Sequence, residues 1–534
     1  MQKYISKPRG RFYSIFVDFK VAFDSINREK LWYVLHKNGC NGKMLNILKS
    51  MYQTVMMCVR VKQSDMTICT DYNESSATKF CITDCFKTLS GVKQGCILSP
   101  LLFSLYISEL KKYFDNSTVR HVSLLTNDVD TSMLMYADDL TIFSDTVFDM
   151  QRKIDILFNF CVKWGLEVNL NKTKIMVFRN GGYLKSIEKW TFGGMHLDAV
   201  TYYAYLGMIL SSRLCFSKCL ENYSCKSLKM VGAIRKVFNT YKRIPSNIAF
   251  KIFDLKIKPL LLYGSQIWGC GYYEIIEKVQ IQFCKSYLGL GKTTPNDLVL
   301  VECGRHSLSV DYNLSVIKYW TKLLHMSHER YPLKCYQQLK SHADMGRINW
   351  AYHVMKLLFT LGFGDVWNAQ EQLSDVKLFL SDVKKRLVDI DMQNLHCRIK
   401  DKSNIYLNYD NVDFYPSTIV KPYISLMHYY SSRRVFALLR THSLPIKNNL
   451  LRWNIVNNNL CEMCEGIFVE NEFHILFRCS KYIVKRNTYI PECFRTRPTI
   501  ITLQKLLQTN DNMIIRNVVI FLNEILKERI HYRQ

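Results

Sequence analysis

The chain has 534 residues, room for three or four compact units at about 150 residues each, which excludes a peptide or a small disulfide-stapled scaffold. Lys plus Arg number 72 against 45 Asp plus Glu, a formal charge of +27 on a chain that is 48% apolar, too apolar for a disordered basic tail. Folded surfaces this basic meet a polyanion, most often nucleic acid, with an acidic membrane surface as the rival. In chain order, Phe12 to Phe19 (FYSIFVDF) is aromatic and β-branched and predicts a buried strand, and Arg28 to Asn38 predicts a helix that Gly39 can end. Met56 to Val61 and Phe80 to Phe86 read as further strands, and Leu101 to Phe114 as a helix starting just after Pro100. Met133 to Tyr136 and Leu140 to Ser144 form a hairpin whose turn holds Ala137, Asp138 and Asp139. Beyond about Ser212 the pattern turns helical, with Leu228, Val231, Ile234, Val237 and Phe238 spaced for one face of a helix over Cys225 to Tyr241.

Three acids stand where acids are poorly tolerated: Asp18 ends an apolar strand, and Asp138 and Asp139 sit between two others. Carboxylates in apolar surroundings are costly unless they hold a cation. If the first strand and the hairpin are sheet neighbours, Asp18 and Asp138 converge and can hold two divalent ions that activate a hydroxyl and stabilise a leaving phosphate. The plain alternative is that Asp138 and Asp139 are ordinary turn residues. A second string, Leu89 to Pro100 (LSGVKQGCILSP), sets Gly91 and Gly95 around Lys93 and Gln94 before a helix. Glycine there allows close backbone approach to a ligand, and Lys93 and Gln94 offer polar contacts to a base or phosphate.

Together these segments resemble the reverse transcriptase of non-long-terminal-repeat (LINE-type, jockey-like) retrotransposons. Phe16 to Ser25 (FVDFKVAFDS) resembles the first palm motif, Gly91 to Pro100 the second, and Tyr136 to Asp139 the third. Trp164 to Asn169 with Lys172 to Lys174 resembles the fourth, and Tyr205-Leu206-Gly207 the fifth, a primer grip. The resemblance implies an α+β fold: a right-hand polymerase palm, an antiparallel sheet packed on helices, then a helical thumb and a mainly helical C-terminal region with a small zinc knuckle. It implies that Asp18, Asp138 and Asp139 are catalytic carboxylates holding two Mg²⁺, and that Lys172 protonates the leaving pyrophosphate. Phe23 becomes the aromatic gate that crowds a ribose 2′-hydroxyl and so favours dNTPs. Phe19, Gly91, Lys93, Gln94, Gly95 and Tyr136 are expected near nucleotide and template. The implied partners are an RNA template, a DNA primer or target DNA, and dNTPs.

The thumb-like segment carries Lys226, Lys229, Arg235 and Lys236 beside its apolar stripe, charges of one sign that suit a duplex backbone or a solvated face. Lys258 to Gly269 and Glu302 to Arg305 also resemble the family's post-palm region and read as packing residues. Near the C-terminus stands Cys461-x2-Cys464-x9-His474-x4-Cys479. Three thiolates and an imidazole are a tetrahedral zinc set, and the two close-spaced ends can each place two ligands on one ion. The alternative is four unrelated residues in a chain with 19 Cys. The expected partition is palm with partial fingers over 1–211, thumb over 212–300, helical connector over 301–445, knuckle over 446–490 and helical tail over 491–534.

The odd Cys count and a start (MQKYIS) without an apolar signal core suggest a reducing nucleus or cytoplasm, and no run of 18 apolar residues predicts a membrane span. The resemblance begins late, since only 17 residues precede Asp18, and the family's upstream fingers motifs and endonuclease are expected before that point. An N-terminally truncated polymerase follows, with a catalytically inactive nucleic-acid-binding remnant as the alternative.

Overall fold

The structure, a computed structural model, describes residues 9–62, 80–93, 95–119, 122, 132–241, 243–271, 273–400, 419–427 and 429–531. The chain divides into two compact units, Met1–Lys218 and Cys219–Gln534. No helix among the described residues is long and apolar enough to cross a membrane.

The first unit is built on a four-stranded antiparallel sheet. In chain order its elements are β1 (Arg11–Val17), α1 (Arg28–Lys37), α2 (Gly42–Gln53), β2 (Met56–Met57), β3 (Arg60–Lys62), β4 (Phe80–Ile82), β5 (Phe86–Lys87), α3 (Ser99–Asp115), β6 (Met133–Tyr136), β7 (Asp139–Ser144), α4 (Val147–Trp164), β8 (Lys174–Arg179), β9 (Trp190–Phe192), β10 (Met195–Leu197), β11 (Tyr202–Tyr205) and β12 (Met208–Ser211). The spatial order of the main sheet is β6-β7-β1-β8. Alternation along β1 explains why it is apolar apart from Arg11 and Ser14. Tyr13, Ile15 and Val17 join the core with α1, α3 and α4 residues such as Leu31, Phe103, Ile154 and Phe160. Phe12 and Phe16 face the other way, into an aromatic cluster with Phe143, Met176 and Phe178 that Tyr203 and Tyr205 cover. A strand covered on both faces has no polar face to show.

Sequence boundaries shift where side chains compete with the ladder. The strands expected over Met56 to Val61 and Phe80 to Phe86 are each broken, pairing as β2 with β5 and β3 with β4. At the break, Val59 N–H donates to the Thr83 hydroxyl at 2.9 Å while Thr83 N–H donates to Val59 O, so a side chain takes a ladder position. Helix α3 starts at Ser99 rather than after Pro100, because Pro within a first turn loses no helical hydrogen bond. Asp139 belongs to β7, which leaves a two-residue turn of Ala137 and Asp138.

The second unit is helical; its principal helices are α5 (Ser217–Thr240), α6 (Ser246–Ile252), α7 (Glu274–Leu288), α8 (Asn296–Glu302), α9 (Leu308–Leu324), α10 (Tyr331–Asp344), α11 (Trp350–Thr360), α12 (Val376–Lys400), α13 (Pro422–Leu426), α14 (Tyr430–Arg440), α15 (Ile483–Tyr489) and α16 (Asn512–His531). Helix α5 begins eight residues before the segment expected from apolar spacing, at Ser217 instead of Cys225. Trp320, Leu333, Val354, Trp367 and Phe379 form one core of this unit. The Glu302 to Arg305 string is structural: Arg305 grips Asp254 with both guanidinium nitrogens at 2.9 and 2.6 Å, and Glu302 pairs with buried Arg440 at 2.8 Å. A Cβ on Gly304 would fall 2.3 Å from the Ile419 carbonyl carbon, so only glycine fits there.

Candidate active site

Strand register assembles the carboxylates. Val17 pairs with Leu140 and Phe16 with Thr141, so Asp18 and Asp139 are the next pair outward, on the face that carries Phe16 and Phe143. Tyr136 pairs with Asp139, and Asp138 stands in the turn between them, exposed. Ala137 has φ of +53°, a conformation that side chains disfavour. Strain of that kind costs about 1–3 kcal/mol and collects at functional sites.

The charges of the three acids are felt. The Asp139 carboxyl is raised above its ordinary range by burial first, then by Asp138 and Asp18. Tyr203 is pushed up to about 12 by burial and by the charges of Asp18 and Asp139. The near cation is Lys172, whose Nζ lies 3.6 Å from Asp18 Oδ2, with the two side chains 67% and 30% exposed. Three converging carboxylates with one loosely held ammonium form an excess of negative charge that fits divalent cations.

The segment leading into β8 is tied to Asp18 and its neighbours by hydrogen bonds. Asp18 N–H donates to the Thr173 hydroxyl at 3.1 Å, Asn169 N–H donates to Asp18 O at 2.8 Å, and Lys20 N–H donates to Glu167 O at 2.7 Å. This brings Lys172 to the site, alongside the Lys20 and Glu167 ion pair. Of the other anticipated residues, Phe23 is half-buried with its ring 5.3 Å from that of Phe103, and Tyr136 is exposed at the end of β6. Phe19 is not on the open side: its ring is 6% exposed and packs edge-on to Phe103 in the core, where it props the loop that follows Asp18.

Gly91 and Gly95 do different things. Gly91 has φ of +80°, and a Cβ on it would lie 2.6 Å from the Asp24 Cα. Its close approach is therefore to the chain itself, sealed by Gly91 N–H to Ile26 O and Val92 N–H to Phe23 O, both 2.8 Å. Gly95, φ +81°, faces open space. Lys93 is exposed, and Gln94 lies outside the described residues. Tyr205 ends β11, and Leu206 and Gly207, both with positive φ, make the two-residue turn into β12.

Two participants had no signal in the motifs. Arg28 donates to the carbonyls of Tyr52, Thr88, Ser90 and Gly91, binding the Leu89 to Val92 segment to α1. Tyr203 stacks on Phe16 with ring centroids 4.5 Å apart and feels the charges of Asp18 and Asp139. The alternation of Tyr203 and Tyr205 along one strand face was the available clue.

In the second unit Cys461, Cys464, His474 and Cys479 come together with one ligand atom from each, all within 4.8 Å of one another. Cys464 Sγ is 3.6 Å from His474 Nε2 and 3.7 Å from Cys479 Sγ. Burial pushes the Cys461 thiol up to about 12, helped by the neighbouring Cys479, so a thiolate there needs a cation beside it. The loop is held from behind: Arg486 donates to the carbonyls of Leu476 and Cys479 at 2.8 and 2.7 Å, and Arg529 of α16 pairs with Glu470 at 2.5 Å. The cluster can hold a metal ion.

A sheet with carboxylates at a strand end and a tight hairpin gathers negative charge that suits divalent cations, and comparison with known proteins shows what the chain is similar to. Residues 2–210 match the family profile described as reverse transcriptase (RNA-dependent DNA polymerase). The probable RNA-directed DNA polymerase from transposon BS of Drosophila melanogaster is 24% identical over 274 residues, covering 50% of this chain and 28% of that protein. The RNA-directed DNA polymerase from mobile element jockey of Drosophila funebris is 21% identical over 276 residues, covering 50% of this chain and 27% of that protein. The chain thus spans little more than a quarter of the length of these relatives. Among solved structures, apo telomerase from Candida tropicalis covers 72% of this chain and 54% of its own at 15% identity, with a TM-score of 0.27, too loose to bear on the fold. Residues 2–210 thus match a reverse transcriptase domain, and half of the chain is similar to RNA-directed DNA polymerases of Drosophila mobile elements.

Proposed function

We propose that this chain is the polymerase part of a LINE-type element and copies RNA into DNA, joining the α-phosphate of a dNTP to a primer 3′-hydroxyl. The observation that carries this reading is the register that sets Asp18 beside Asp139 with Asp138 in the adjoining turn. In the proposal Asp18, Asp138 and Asp139 hold two Mg²⁺, which when bound lower the pKa of the primer hydroxyl and offset charge on the triphosphate. The main sheet of the first unit is then a palm. Phe23 limits space at the ribose 2′ position, Lys93, Gln94, Gly95 and Tyr136 border nucleotide and template, and the Leu206-Gly207 turn grips the primer. Phe19 and Gly91 support that surface from within the fold. Lys172 is the proton donor to pyrophosphate, for which its exposed ammonium beside Asp18 is chemically suited. In the same proposal the helices over 212–300 act as a thumb whose lysines contact an RNA–DNA duplex by its backbone. The cluster of Cys461, Cys464, His474 and Cys479 binds one structural Zn²⁺.

The test is primer extension on poly(rA)/oligo(dT) with Mg²⁺, comparing the chain with Asp138→Ala. Incorporation that falls to background in the variant is the expected result. Equal incorporation by both, or none by either, would overturn catalysis by this chain and favour a binding role.

A further inference from the structure

A cleft of about 440 Å³ opens in the second unit, and its lining includes Arg243, Met427, Tyr429, Ser432, Arg516 and Ile520. Arg243 lies over the Tyr429 ring, 4.0 Å from its centroid, and the two residues also meet in an isolated antiparallel bridge. Backbone and ring together therefore fix that guanidinium in the cleft wall. Arg516 enters from α16. Both arginines are exposed, and among the described residues neither forms an ion pair with an acid. Apart from Ser432 the rest of the wall is apolar: Met427 and Val519 are buried, while Ile520 is 43% and Tyr429 49% exposed. Cavities of about 300–1,000 Å³ are the size that takes one small ligand or one or two residues of a polymer.

Two unneutralised guanidiniums across an apolar floor ask for a ligand that is anionic at its edge and flat and apolar in its body. Arginine forks match phosphate oxygens in pairs, and an open tyrosine ring beside an isoleucine matches a nucleobase. We propose that this cleft binds a single-stranded polynucleotide, with phosphodiesters on Arg243 and Arg516 and one base against Tyr429 and Ile520. A base paired in a duplex does not present its face to such a cleft, so single strands are the ligand. None of these residues belongs to the carboxylate corner, although Arg243 lies within the 212–300 segment proposed as a thumb.

The test uses the full chain and a 12-nucleotide oligo(U) bearing 4-thiouridine, with long-wave irradiation and mapping of the crosslinked peptides. Crosslinks are expected in the peptides holding Tyr429 and Ile520, reduced about tenfold by the Arg243→Ala, Arg516→Ala pair, as loss of both phosphate contacts implies. The slope of log affinity against log salt should also become shallower by about 1.4, at about 0.7 per single-strand phosphate, and return in the Arg243→Lys, Arg516→Lys chain. Crosslinks found only elsewhere, undiminished crosslinks in the alanine chain, or displacement of the oligonucleotide by an equal concentration of a phosphoserine peptide would each overturn the proposal.

Discussion

The two constellations of this chain that could hold metal ions are built in opposite ways. The carboxylate corner gathers Asp18 from one strand and Asp138 and Asp139 from a hairpin over a hundred residues later, and it rests on a large core that exists without it. The Cys/His cluster lies within one stretch from Cys461 to Cys479, and much of that stretch is turns and single helical turns. The first is a site placed on a fold. The second is a fold placed around a site, and metal removal should tell them apart.

The largest effect is expected at the cluster. One Zn²⁺ per chain should be measured by atomic absorption, and it should be lost in Cys461→Ser. With it goes binding energy of order 10–16 kcal/mol, which in such sites is folding energy. Hydrogen exchange should then show residues 459–482 opening, reaching the Glu470 and Arg529 pair that ties the loop to α16. Removing divalent ions from the first unit should leave its thermal midpoint within about 2 °C. Matching losses of protection in both regions would break the comparison.

A second expected effect concerns how each unit treats a buried acid. Glu277 is 3% exposed and accepts hydrogen bonds from the N–H groups of Leu308 and Ser309 at the start of α9, both at 2.9 Å. Burial raises its carboxyl to about 7 despite those bonds, with Asp391 and Asp311 adding to the rise. The folded value lies above the unfolded one, so the native state holds the proton more tightly. Stability from this group is full below about 4.5 and is lost as pH rises through about 7, a swing of up to about 3 kcal/mol. Melts of the second unit's transition between pH 5 and 8 should show the decline, and Glu277→Gln should flatten it. A variant with the same slope would remove Glu277 as its source.

The glycine pair of the second motif gives a smaller, sharper contrast. Gly91→Ala drives a methyl into the Asp24 backbone in a left-handed conformation and should cost about 2–3 kcal/mol of stability. Gly95→Ala carries the left-handed cost alone, about 1 kcal/mol, because nothing lies within 4 Å. If the space over Gly95 is ligand space, that variant should lose more primer extension than stability. Equal melting shifts for the two would deny that Gly91 is held by the loop after Asp18.

These contrasts also mark what could be read beforehand. The Cys461 to Cys479 spacing was legible because local ligands need only a turn between them. Asp18, Asp138 and Asp139 were legible as odd acids among apolar strands, but their meeting depends on which strands pair, and that came from resemblance. The body of β1 was clear because its two faces are both covered, whereas the burial of the Phe19 side chain against Phe103 was not, since period two does not say where the strand stops and the chain turns inward. Arg28 was invisible, since an arginine whose guanidinium is consumed by four carbonyls looks in sequence like any helix-start cation. The break at Thr83 was hidden for the same reason, a side chain replacing a backbone partner.

The smallest expected effect lies at Lys172. Its ion pair with Asp18 spans 3.6 Å between groups that are 67% and 30% exposed, and pairs of that kind contribute about 0–1 kcal/mol to stability. Lys172→Ala should therefore barely move the melting midpoint. Without nucleic acid, however, the ammonium competes with any divalent ion for the same carboxylate. Two unit charges at about 4 Å in water interact by about 1 kcal/mol, so removing the lysine should tighten Mn²⁺ binding by up to about fivefold, measured by electron paramagnetic resonance on the free chain. That gain should shrink between 50 and 200 mM salt, since both groups face solvent. Weaker Mn²⁺ binding in Lys172→Ala would mean that the lysine helps to build the anionic corner instead of occupying it, and the corner would then resemble the Cys/His cluster in depending on its own side chains for its shape.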